Sequence, residues 1–229
     1  MAMLNNDGET ATPAKRSAAA TRRRILNSAR QSFARHGFRG ARIEAIADGA
    51  KANVQMIYRY FGNKEGLYLE VLEDTYLRIR ARERRLKLGD LPPDQGVRNL
   101  VEFTFDYLAA HPEFVAIIRN ENMDGGRFAR RLQKVSASAT PLVETLSGLL
   151  RRGGDAGLFR KNIDTMQLYV TILALCITHL AQSHTLSVMF NQDLGNPEWI
   201  AERRAHVVDV TLSYLRVAPK AICGEDGIE

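Results

Sequence analysis

The stretch ANVQMIYRYFGNKEG, residues 52–66, decides how this chain folds. Between Tyr58 and Lys64 it crowds two tyrosines, an arginine, a phenylalanine and a lysine ahead of a helical pattern that starts at Lys64. Asn53 is a suitable N-cap for a short helix. On that helix Val54, Ile57 and Phe61 fall to one side, which leaves Gln55, Met56, Arg59 and Tyr60 facing outward and Tyr58 near the rim. A helix of under two turns is unstable alone, so neighbours must hold it. Working outward, the tight turn Ala50-Lys51-Ala52 joins it to a second short helix carrying Ile43, Ala45, Ile46 and Ala47. Before that comes a longer helix in which Ile25, Leu26, Ala29, Phe33 and Ala34 keep 3-4 spacing. Thr21 is placed to cap this first helix, and Gly37 to end it. Three helices, the last short with a polar outer face, have the logic of a helix-turn-helix that enters the major groove N-terminal end first.

Charge points the same way. Residues 1–64 hold 12 Lys/Arg against 4 Asp/Glu, a net of +8, and the rest of the chain nets −2. Positive charge concentrated in one quarter of a chain is the footprint of a polyanion-binding module. The bland alternative is a basic tail kept for solubility. The apolar share, 45%, is that of a globular protein. No apolar run reaches a membrane span and the start lacks a signal-peptide core, so a cytoplasmic protein without membrane contact is expected. Cys176 and Cys223 form no metal or disulfide pattern, and neither a cofactor nor a metal is expected.

Glycine and proline breakers separate segments with a helical period, and no strand-like alternation persists. The pattern predicts an all-α protein of nine helices at 21–36, 43–50, 54–60, 64–88, 94–110, 112–122, 127–152, 164–186 and 197–216, with Pro141 bending or interrupting the seventh. The predicted organisation is a disordered, basic-ended arm over 1–20, a three-helix DNA-binding domain over 21–66, a larger helical ligand-binding and dimerisation domain over 67–218, and a flexible tail over 219–229.

FARHGFRGARIEAIADGAKANVQMIYRYFGNKEGLYLEVL, residues 33–72, resembles the DNA-binding domain of tetracycline-repressor (TetR) family regulators. Phe33, Gly37, Phe38, Ile46, Ala47, Ile57, Tyr58, Tyr60, Phe61, Lys64, Glu65 and Leu67 fall in register with that family's pattern. The chain departs from it at Arg42, where Thr is usual, at Lys51-Ala52-Asn53, which replaces Gly-Val-Ser, and at Gln55, which replaces Gly. The resemblance implies that Tyr58 and Tyr60 set hydroxyls against the DNA backbone and that Lys64 shares a phosphate with a helix N-terminus. Arg42 and Lys51 add phosphate grip. Gln55 and Met56 are the base-edge candidates, Asn53 is a further DNA-contact candidate, and Arg59 can meet a phosphate or a guanine.

For the remainder, the resemblance implies a homodimer on a palindromic operator, paired through its last two helices, with Leu175, Val208 and Leu212 as interface candidates. It also implies a cavity for a small-molecule effector, with Phe105, Phe114, Ile118, Asn122, Leu146, Tyr169, Leu173 and His179 as lining candidates; Asn122, His179 and Glu121 would need partners if buried. The expected function is a transcriptional regulator, a repressor released by its effector. Two rivals remain. An architectural DNA binder would have a filled C-terminal core, where a sensor would keep a cavity. An enzyme would have to use Cys176 with His179 or His184, but no nucleophile elbow, glycine loop or metal-spaced acid cluster accompanies them.

Overall fold

The computed structural model describes residues 13–217 of the 229. Ten α-helices lie in this range: α1 Pro13–Gly40, α2 Ile43–Ala50, α3 Val54–Phe61, α4 Lys64–Arg85, α5 Pro93–Ala110, α6 Pro112–Met123, α7 Gln133–Asp155, α8 Thr165–Ala181, α9 Ser183–Phe190 and α10 Pro197–Leu215. Two 3-10 turns, Leu88–Asp90 and Ala129–Arg131, complete the set, and among the described residues the only β pairing is an isolated bridge between Phe159 and Arg216. The protein is all-α, as its periodicity requires.

Most boundaries fall within a few residues of those the sequence predicts, and three differences are larger. α1 begins at Pro13, so Thr21 lies inside a helix; its hydroxyl accepts from Arg24 Nη2 at 3.1 Å. Proline is well suited to a first helical position, where its missing N–H costs nothing. Residues 1–12 of the expected arm, and the expected tail with Cys223, lie outside the described residues. Gly37 does break α1: its φ of 64° and ψ of −179° are non-helical and suit only glycine. α7 starts at Gln133 rather than 127 and runs through Pro141 without interruption. The apolar run over 164–186 is two helices, because Gln182 leaves the helical region and turns α9 by 73° from α8. With neither glycine nor proline at that break, composition carries no trace of it.

The chain divides into two compact units, one of residues up to 76 with 116–135, the other of 77–115 with residues from 136 onward. The first unit therefore takes in more than the three N-terminal helices. Its core joins Ile25, Phe33, Ile46, Ile57, Leu67, Val71 and Leu72 to Ile117 and Phe128. Phe128 packs 4.6 Å from Phe38 and 4.8 Å from Tyr68, ring centre to ring centre. Glu121 is the polar fastener. Buried, it accepts from Tyr68 Oη at 3.1 Å and from the backbone N–H groups of Phe128 and Ala129 at 2.7 and 2.8 Å. A carboxylate with three donors is a satisfied structural group, not one awaiting a ligand. The same arrangement pushes the Tyr68 phenol up, through burial first and then the Glu121 charge.

In the second unit α5 packs against α8 and α10. Leu100, Val101, Phe105, Leu146, Leu149, Ile172, Cys176, Val207, Val208 and Leu212 are buried there. Each valine, leucine, isoleucine or phenylalanine among them contributes about 1.5–3 kcal/mol on removal from water.

Candidate nucleic-acid interface

The helix-turn-helix assembles from local rules. α2 ends at Lys51, whose left-handed backbone (φ 50°, ψ 49°) turns the chain while its N–H bonds the Asp48 carbonyl at 3.0 Å. Asn53 then caps α3: its Oδ1 accepts from the Gln55 N–H at 2.9 Å. Gly62, at φ 76°, closes α3, and Asn63 Oδ1 takes the Gly66 N–H at 2.8 Å at the head of α4. Two capped helix starts thus lie within a dozen residues, and the positive end of a helix favours an anion.

Ile57 and Phe61 are buried, and Val54 packs against the same core. Gln55, Tyr58 and Arg59 are exposed on α3, with Tyr58 at 48% of its possible exposure. Arg42, just before α2, and Lys51 and Asn53, in the turn, are exposed as well. Met56 and Tyr60 depart from their expected outward pose: both are half-buried against the core. On eight residues of helix the inner side spans more than the three apolar positions, so the side chains flanking Ile57 lie partly under cover. Tyr58, expected at the rim, is the more exposed tyrosine. Lys64 is more restrained than a free phosphate ligand: its Nζ donates to the Arg39 carbonyl at 3.3 Å and sits 5.1 Å from the centre of the Phe38 ring. Partial burial lowers its pKa, against the pull of Glu44.

The supporting layer lies behind α2 and α3, and sequence reasoning missed it. Arg24 Nε donates to the Ala50 carbonyl at 3.1 Å, and Ser28 Oγ to the Ile46 carbonyl at 2.9 Å, fixing α2 against α1. Arg22 pairs with Glu70 at 2.8 Å and covers the Phe61 ring at 5.0 Å. The arginine-rich face of α1 was the available signal, but charge alone does not separate an arginine that braces a helix from one that meets DNA.

The effector-site candidates are divided between the units. Ile118 and Asn122 belong to the first; Ile118 packs on its core, and Asn122 is exposed, its Nδ2 donating to the Ile118 carbonyl at 2.8 Å. In the second unit Phe105, Phe114, Leu146, Tyr169 and His179 are buried and Leu173 is half-buried. His179 stacks on Phe105 at 4.9 Å and lies 5.7 Å from Trp199, with neither ring nitrogen in hydrogen-bond geometry. Burial, helped by Arg203, lowers its pKa to about 4, so the ring is neutral. Burial also pushes the Cys176 thiol up to about 12. A nucleophile and base need the opposite shifts, a stabilised thiolate beside a readily protonated imidazole.

A cavity of about 290 Å³ does exist in the second unit, in another place. It is walled by Arg80, Glu83 and Arg84 from α4, by the turn at Leu88, and by Pro141, Leu142 and Thr145 from α7, and none of the eight candidates lines it. Tyr169 is one bond away, its hydroxyl accepting from Arg80 Nη2 at 2.8 Å.

Two interface candidates are corrected by their burial. Val208 and Leu212, 2% and 3% exposed, are core residues of their own chain, and Leu175 is half-buried. The exposed apolar residues of the same helices are Met166 and Val170 on α8 and Val210 and Tyr214 on α10.

With this geometry in place, known proteins supply the comparison. Residues 25–71 match the model of the family described as "Bacterial regulatory proteins, tetR family", and residues 93–211 match "Tetracyclin repressor-like, C-terminal domain". The chain is 39% identical over 196 residues to the HTH-type transcriptional repressor NicS of Pseudomonas putida, spanning 86% of this chain and 92% of that protein. It is 40% identical over 114 residues to the HTH-type transcriptional repressor SCO4008 of Streptomyces coelicolor, spanning 49% of this chain and 55% of that one. Among solved structures it resembles the putative transcriptional regulator SCO4942 of Streptomyces coelicolor, with a TM-score of 0.66 at 25% identity over 85% of this chain and 98% of that one. The ketosteroid regulator KstR2 of Mycobacterium tuberculosis shares the fold, with a TM-score of 0.64 at 21% identity over 86% of this chain and 96% of that one. A capped helix-turn-helix with an exposed polar recognition face, joined to a helical second unit and matched along both parts, makes this chain a member of the TetR family of transcriptional regulators.

Proposed function

We propose that this regulator is a repressor that binds a palindromic operator in the cytoplasm as a homodimer and leaves it when a small molecule occupies the second unit. The observation that carries the reading is the outer face of α3. Gln55, Tyr58 and Arg59 stand exposed on a helix whose opposite side is locked by Ile57 and Phe61. That presents an amide, a hydroxyl and a guanidinium to a groove. Exposed Arg42, Lys51 and Asn53 flank it with groups suited to phosphates. Met56, Tyr60 and Lys64 contribute from half-covered positions, so their share is the smaller one.

The cavity beside α4 supports a sensor over a purely architectural DNA binder. α4 serves both units: Leu67, Val71 and Leu72 sit in the first core, and Arg80 and Glu83 wall the cavity. One continuous helix, Lys64–Arg85, thus carries residues of both units. That α9 and the stripe Met166, Val170, Val210 and Tyr214 leave apolar area uncovered supports pairing with a second copy. The relatives named as repressors give the direction of control.

Selection of bound duplexes from a random pool tests the reading. The expected product is a two-fold symmetric site whose half-sites lie about one helical turn apart, roughly 34–36 Å. Recovery of no sequence preference would leave only the architectural function.

A further inference from the structure

The wall of the α4–α7 cavity holds a pair of charges that the fold leaves half-satisfied. Arg80 and Glu83 are buried, with side chains 10% and 3% exposed, and Arg80 Nη1 donates to Glu83 Oε2 at 2.6 Å. Arg80 spends one further N–H on the Tyr169 hydroxyl, which leaves donors of its five unspent. Glu83 Oε1 accepts nothing. A buried acceptor without a donor is costly, and an unfinished buried network more so. Burial pushes the Glu83 carboxyl up to about 7 even with Arg80 alongside. A fold that needed only a core here would place apolar residues.

The rest of the wall sets the shape of what completes the pair. Leu88, Pro141 and Leu142 supply apolar surface, Ser138 and Thr145 small polar groups, and Arg84 and Lys87, both exposed, stand at the solvent side. The volume is at the small end of ligand sites, enough for a single ring with a substituent. From these residues we infer that the cavity is the effector site and takes a small, uncharged, largely apolar ring compound bearing an amide-type edge, its carbonyl accepting from Arg80 and its N–H donating to Glu83. A carboxylate of the same shape fits worse, because its second oxygen would face the Glu83 carboxylate. This deepens, and rests on, the reading of the protein as an effector-released repressor.

Benzamide and benzoate, alike in shape and different at that edge, are the probes. They are titrated into the full-length protein near pH 8 by calorimetry or ligand-observed NMR. Benzamide is expected to bind in the millimolar range usual for so small a probe, and at least tenfold more tightly than benzoate. Glu83→Gln, which keeps the size of the side chain and removes its charge, leaves Arg80 without a counter-ion; the preference should then turn toward benzoate. Thr145→Phe fills the cavity from α7 and should abolish binding of both probes. Helical content and melting are followed for each variant, and the wild-type preference stands as a test even if one variant fails to fold. Equal binding of the two probes, a preference for benzoate in the wild type, no binding of either, or benzamide binding untouched by Thr145→Phe in a folded protein would each overturn the assignment. DNA binding is measured in parallel on the selected duplex. Operator binding without benzamide binding sinks this site alone, whereas a protein that takes benzamide but recognises no operator sinks the broader reading.

Discussion

At the scale of single residues, the recognition helix divides its labour by exposure. Gln55, whose backbone N–H is held by the Asn53 cap, sits on the exposed first turn of α3, the turn that on the proposed reading would enter a groove first. Gln55→Ala is therefore expected to cost roughly 1–3 kcal/mol on the preferred operator and little on random DNA; equal losses in a gel-shift titration would make it a backbone contact. His179 makes a different prediction. Its pKa falls from 6.5 to about 4 on folding, by burial among aromatic rings and the nearby Arg203 charge. Below pH 6.5 the unfolded chain takes up a proton that the folded one refuses. Stability should thus fall as pH drops from 6.5 toward 4, by on the order of 3 kcal/mol over the full window. Urea denaturation of His179→Phe across that range should show a flatter acid limb than the wild type.

At the scale of elements, helix ends and close approaches matter most. Asn53 alone caps the eight-residue α3, and Asn53→Ala should remove about 1 kcal/mol from the first unit and loosen the groove-facing turn. The readout is faster amide exchange at Gln55 and Met56. α7 ends against a buried ring. A Cβ on Gly153 would lie 2.1 Å from Phe159 Cδ2, and Phe159 is fully inside. Alanine would ordinarily favour a helix at such a position. Here the overlap should win, with Gly153→Ala lowering stability by roughly 1–3 kcal/mol in thermal or chemical melts. A neutral or stabilising result would mean that the ring swings away freely.

At the scale of the whole molecule, the proposed operator has two halves and each chain would offer one recognition helix, so on that proposal function depends on a partner face. Val210 on α10 is exposed and Val208, two residues earlier, is buried. The two should answer a charge in opposite ways. Val210→Asp is expected to give a folded monomer that has lost specific DNA binding. Val208→Asp buries an unpaired carboxylate in the chain's own core and should lower the melting temperature or prevent folding altogether. Light scattering and circular dichroism of the two variants separate the outcomes. A Val210→Asp dimer with intact operator binding would remove α10 from the interface.

What the sequence determined by itself lies where physics is local. The capped start of α3 at Asn53, the glycine that breaks α1, the inner row of Ile57 and Phe61 and the exposed Gln55 and Arg59 follow from neighbours a few positions apart. Periods and caps encode such contacts directly. Tertiary structure decided what depends on distant partners. α8 and α10 are apolar on more than one side, so pattern alone could not say that Val208 faces inward and Val210 outward. Glu121 looked like a polar group in search of a ligand until Tyr68, 53 positions earlier, supplied a donor. The cavity pair reads in sequence as Arg80 and Glu83 in an ordinary charged helix end. Its burial arises only when Tyr169, 89 positions later, comes to lie against Arg80, because desolvation is a property of the surroundings and not of the residue.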